Sequence, residues 1–135
     1  MEQNTQTESG FRITQLILLE SNFKREATIN FDPSKTTSVV NVDVNVQVAE
    51  NTIFVTETLT YKQMFEEVVE VSAEIKMVGV FEKTGDVSFD LNNFGQINGA
   101  AIIFPYIREQ LTNLSAKAGI GLIVIPPFNF TKKTD

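Results

Sequence analysis

The clearest order along the chain is a run in which Val40, Val42, Val44, Val46 and Val48 alternate with Asn41, Asp43, Asn45 and Gln47. Strand side chains point alternately to opposite faces, so this run predicts a half-buried strand with one wet face. Residues 52–63 follow the same rule, with Ile53, Val55, Leu59 and Tyr61 on one parity and threonines filling most of the other, broken by Phe54. The short Ala49-Glu50-Asn51 link predicts an antiparallel hairpin between the two. After Phe65-Glu66-Glu67, a further run sets Val69, Val71, Ala73, Ile75, Met77 and Phe81 against Glu70, Ser72, Glu74 and Lys76, and ends at Lys83-Thr84-Gly85-Asp86. Upstream, between Phe11 and Phe31, Ile13, Ile17, Leu19 and Phe23 favour one parity while Leu16 and Leu18 break it. That pattern predicts a strand buried partly on both faces, either one bent strand or two, closed by the Asp32-Pro33-Ser34-Lys35 turn. Four β-rich segments in succession predict an antiparallel meander.

The period changes after Asn98-Gly99. Ala101, Ile102, Phe104, Pro105, Ile107, Leu111, Leu114 and Ala118 fall at spacings of three and four, which predicts an amphipathic helix. Proline is tolerated in the first turn of a helix, so the main helix is placed at about Phe104 to Ala118 with a looser turn before it. Gly119 is the natural left-handed cap. The segment from Ile120 to Phe130 is apolar but holds Pro126-Pro127, so it should run extended. Met1 to Gly10, with Met1 its one apolar residue, reads as a disordered lead-in. The fold class is therefore α+β: a four-stranded antiparallel sheet, a long C-terminal helix on one face and an extended apolar tail, with residues 11–135 forming one domain.

Composition narrows the chemistry. A chain of 135 residues supports one core. Cysteine and histidine are both absent, which removes thiol nucleophiles, imidazole bases, disulfides and zinc or haem ligation. The net charge of −6, with the basic residues scattered, argues against nucleic acid. No secretory leader pattern and no apolar run of roughly 20 residues occurs, so a cytoplasmic protein without membrane insertion is expected. The acidic cluster Glu66, Glu67, Glu70 and Glu74 reads as a solvated row on the outer face of a sheet, with a partner-docking patch as its alternative. Gly119-Ile120-Gly121 follows a helix instead of opening one and lacks a nearby lysine, so it is a cap and not a phosphate loop. No base stands beside any hydroxyl in the pattern, and neither an enzyme nor a cofactor is expected. The eleven phenylalanines and the apolar tail carry more information. Most belong to a core, but Leu122, Ile123, Ile125, Phe128 and Phe130 read as the lining of an exposed groove for unfolded chains.

Phe104-Pro105-Tyr106, followed at once by Ile107-Arg108-Glu109, a helix ending near Gly119 and an apolar stretch reaching Pro126-Pro127-Phe128-Asn129-Phe130, resembles the SecB protein-export chaperones. Upstream, Phe11, Ile13, Glu20, Phe23 and Gly79-Val80-Phe81 fit the same pattern, so the likeness runs from Phe11 to Phe130. The resemblance implies a dimer or tetramer with helices between sheets, and Phe104, Tyr106, Ile107, Leu111 and Leu114 on an oligomer-interface helix. It implies an ATP-independent holdase that keeps unfolded precursors in apolar grooves and passes them to the SecA motor. Docking positions of that family fall at Glu20 and Glu74, and a third falls at Lys24, where the charge is reversed. The resemblance also implies a shortened relative, without the family's second C-terminal helix and its metal-binding tail. Two rival expectations are a SecB-like chaperone for one partner, such as an antitoxin, and a carrier with an apolar pocket between sheet and helix.

Overall fold

The structure, a computed structural model, describes residues 10–85, 90–123, 125 and 128–130. Strands β1 (Phe11–Arg25), β2 (Thr36–Ala49), β3 (Thr52–Phe65) and β4 (Val68–Lys83) form one antiparallel sheet. Its order is β1-β4-β3-β2, so the sequential meander runs through β2, β3 and β4 while β1 lies on the far side of β4. The reason is the length of the first connection. A two-residue turn at Glu50-Asn51 joins Ala49 to Thr52, and another at Glu66-Glu67 joins Phe65 to Val68, which forces neighbours to pair. Residues 26–35 are long enough to cross the sheet instead, and they are tied down on the way: Asn30 donates from its backbone and from Nδ2 to the Glu70 carboxylate, at 3.1 and 2.6 Å. The Asp32 turn forms as expected, its carboxylate accepting from Ser34 N and Oγ, which holds its pKa below the ordinary value.

Glu70 therefore does not stand in a solvated row with Glu66 and Glu74. It is buried, and the register slips between Gln63/Val71 and Met64/Val69, so a bulge takes it out of the alternation. Bulges also explain the mixed parity of β1, which is one strand. Register shifts at Ile13/Gln15 and Leu18/Glu20 turn Leu16, Leu18 and Phe23 to the face occupied by Gly79, Met77 and Ala73.

That face carries the core. Ile53, Val55, Leu59, Val71, Ile75 and Phe81 are fully or almost fully buried beneath a helical layer, and the alternating valines of β2 border it half-buried. Each such aliphatic or aromatic side chain contributes about 1.5–3 kcal/mol by leaving water. The layer begins earlier than its periodicity predicts. Asp90 caps α1 (Leu91–Phe94) by accepting from Asn93 N, a π segment (Gly95–Gly99) follows without interruption, and α2 runs from Ala100 to Lys117. By local rules Gly99 marks a break, yet its absent side chain is what allows the helix to approach. A Cβ there would stand 2.9 Å from Val55 Cγ2, and one at Gly95 would stand 2.8 Å from Val46 Cγ1. Pro105 consequently lies inside the helix. It and Ala101, whose carbonyl would have received the missing N–H bond, are both exposed, so water satisfies that group. The end is as expected: Gly119 has φ +74° and donates to Ala116 O. Arg25 adds a clamp from β1, donating to Ala118 O at 2.5 Å and to Ala27 O at 2.9 Å.

Residues 1–9 of the expected lead-in, Pro126-Pro127 and the terminal Thr131 to Asp135 lie outside the described residues.

Candidate functional site

The amphipathic α2 buries Ile103, Ile107 and Leu111 in the core it shares with the sheet, and Leu122, Ile123 and Ile125, past Gly119, lie beside the helix. Between them lies an open groove of about 480 Å³, with Pro105, Arg108, Glu109 and Thr112 on the helix side and Leu122, Ile123 and Ile125 opposite. Beyond it, Phe104, Phe128 and Phe130 make one aromatic cluster, with ring centroids 5.4–6.0 Å apart. The Arg108 guanidinium lies 5.6 Å from the Phe104 centroid, a cation–π position.

The five groove residues expected from the sequence thus gather along one side of α2 but differ in availability. Leu122 is 70% exposed and Phe128 36%, whereas Ile125 is 3% exposed and serves as floor. Ile123 and Phe130 are half-buried against the core. A groove with one apolar wall, of Leu122, Ile123 and Ile125, and a helix wall that carries charges of both signs is suited to a flexible segment with apolar side chains, since burial is roughly proportional to area and needs no directional contact.

The helix residues assigned to an oligomer interface divide in the same way. Ile107 and Leu111 are buried in the protomer's own core, Phe104 is buried in its cluster with Phe128 and Phe130, and Leu114 packs half-buried on the core, which leaves Tyr106 exposed beside Ile102. The edge strand β1 exposes Ile13, Ile17, Leu18 and Leu19.

Glu20 and Glu74 stand on the face of the sheet opposite the helix. Glu20 accepts from Asn22 Nδ2 at 2.5 Å and lies 3.9 Å from Lys76 Nζ. Glu74 is paired in register with Asn22 and Thr60. Lys24 and Lys62 flank Ser72 one step along, so this face carries mixed charge and not an acidic field.

One residue was absent from the expected sites. Glu57 on β3 has no exposure to solvent, and neither of its carboxylate oxygens has a hydrogen-bond partner. Loss of hydration pushes its pKa up to about 8, so the carboxyl is neutral at pH 7. The signal was present in the pattern, where a glutamate occupies the apolar parity between Val55 and Leu59. Among the described residues no group of His, Cys, Asp or Glu gathers as a metal site, and no helix is long and apolar enough to cross a membrane.

Sheet, helical layer and open groove together define an α+β protein that presents apolar surface along a helix. Residues 4–133 match the family described as preprotein translocase subunit SecB, and the chain belongs to that family, whose members are non-catalytic chaperones. A protein-export protein SecB of Alcanivorax borkumensis is 29% identical over 129 residues, covering 89% of this chain and 80% of that protein. The SecB of Saccharophagus degradans is 26% identical over 127 residues, or 90% and 75%. An uncharacterized protein of Methanocaldococcus jannaschii is 33% identical over 55 residues, 41% of this chain and 36% of that longer protein. Among solved structures, a SecB-like chaperone of Mycobacterium tuberculosis, in complex with a ChAD peptide from an antitoxin, superposes with a TM-score of 0.76. At 13% identity, over 91% of this chain and 94% of that one, the likeness is one of fold.

Proposed function

We propose that this protein is an ATP-independent holdase of the cytoplasm that binds unfolded or partly folded polypeptides, precursors for export among them, in the groove along α2. The observation that carries the reading is that groove, open beside α2 with Leu122 exposed along it and Phe128 exposed in the aromatic cluster beyond it, in a chain of the SecB family. Binding would draw on apolar area at about 25 cal/mol per Å², reduced by the ordering of the client, and on backbone pairing at the sheet edges. The exposed apolar side chains of β1, with Ile102 and Tyr106 on α2, support a homodimer or tetramer as the working form.

The test is suppression of aggregation of a slowly refolding, unrelated protein, with assembly mass read by light scattering. Suppression at near-stoichiometric ratio is expected, and Leu122→Asp and Phe128→Asp should abolish it with the circular dichroism unchanged. Retention of activity in both variants would remove the groove from the mechanism.

A second reading, a chaperone for one partner, is supported by the mixed charge around Glu20, Glu74 and Lys24, which weakens docking of the SecA motor, and by the antitoxin peptide held by the similar fold. It predicts no suppression for unrelated clients and tight binding to a single partner.

A further inference from the structure

Glu57 is unusual in what surrounds it. Its cross-strand neighbours are Val44 of β2 and Met77 of β4, Val55 and Leu59 share its face of β3, and α2 lays the fully buried Ile103 and Ile107 over this core. No cation offsets it. Asp43 of β2 and Glu74 and Lys76 of β4 lie on the opposite face, Arg108 of α2 sits over Phe104, and Glu109 and Lys117 are exposed. The other titratable group on its face of β3, Tyr61, donates its hydroxyl to Gln63. A carboxyl of zero exposure without a single partner is tolerated only while it carries its proton, because an isolated ionised group in such a site costs far more than a neutral one. The layer above it is built for close approach and not for strength of local structure: a π segment whose glycines touch Val46 and Val55, then a helix interrupted by Pro105.

We propose that Glu57 is a proton latch on the seating of the helical layer: α2 lies down on the sheet only with the carboxyl protonated, and each opening that admits water releases one proton. The pKa of about 8 in the closed form, against 4.5 for a free glutamate, sets the window. Between those values the ratio of open to closed molecules rises about tenfold per pH unit. Since α2 is one wall of the groove, the latch also regulates the width of that site, a consequence that rests on the proposed client reading.

The experiment is amide hydrogen exchange on the full chain without client, between pH 6 and 7.5, with the intrinsic exchange rate divided out. Amides of α2 such as Ile107 and Leu111 should open about ten times more often per pH unit, and at lower free energy than amides of β3 and β4. Glu57→Gln and Glu57→Leu should both flatten the dependence; the apolar variant covers the case in which a buried amide impairs folding. A flat profile in the unsubstituted protein, a slope that survives either substitution, or a slope confined to amides exchanging by global unfolding would each overturn the latch. No client enters the measurement, so failure of the holdase reading leaves this result standing, and the converse also holds.

Discussion

Replacing Glu57 by leucine should stabilise the protein, and by an amount that grows with pH. The sign follows from proton counting. The folded state keeps its proton up to about pH 8, whereas the unfolded chain loses it near 4.5, so between these values the folded state binds more protons and stability falls as pH rises. Each unit corresponds to about 1.4 kcal/mol, which makes the loss on the order of 3 kcal/mol by pH 7 and about 5 kcal/mol across the whole window. This is opposite to the ordinary salt-bridged carboxylate, which stabilises more as pH rises. Glu57→Leu has no such slope and also removes two unsatisfied buried oxygens. Urea denaturation of both proteins at pH 5, 6, 7 and 8, at one protein concentration so that assembly contributes equally, gives two lines that should diverge with pH. At pH 7 the variant should melt roughly 10 °C higher, from about 2–8 °C per kcal/mol for domains of this size range. Parallel lines from pH 5 to 8 would refute the reasoning, because they would mean that Glu57 titrates as it does in water.

Three further substitutions test the fold. Gly99→Ala sets a helix-propensity gain of about 1 kcal/mol against overpacking of about 1–3 kcal/mol on Val55 and Phe81; a net loss is expected in chemical denaturation, with partial recovery when Val55→Ala is added. Arg25→Ala removes the guanidinium from Ala118 O, Ala27 O and Glu26 O and should cost about 2–3 kcal/mol, with Arg25→Lys restoring only part because a single ammonium cannot span the three carbonyls. Glu66→Gly relieves a non-glycine φ of 57° in the β3–β4 turn and should raise stability by up to about 1 kcal/mol; a lower melting temperature would contradict that account.

The period of two in β2 to β4 was legible because each strand has one face on the core and one in water, and the covalent geometry of a strand sends alternate side chains to each. The hairpins were legible from two-residue links that leave the chain no other partner. The position of β1 was not, since a ten-residue connection permits several routes and Glu70 with Asn30 selects one. The bulges that bend β1 and remove Glu70 from its row are likewise adjustments to neighbouring strands. Gly99 reads as a break from the local pattern, but the sheet rewards the close approach that it and Gly95 permit, and the helix starts at Leu91 in consequence. The groove is divided along the same line. Apolar character alone nominated Leu122, Ile125 and Phe128, whereas which of them faces water depends on contacts with α2 that no local period encodes. Glu57 shows both halves at once: its parity is written in the chain, but its missing partner and its retained proton exist only once β2, β4 and α2 have closed around it.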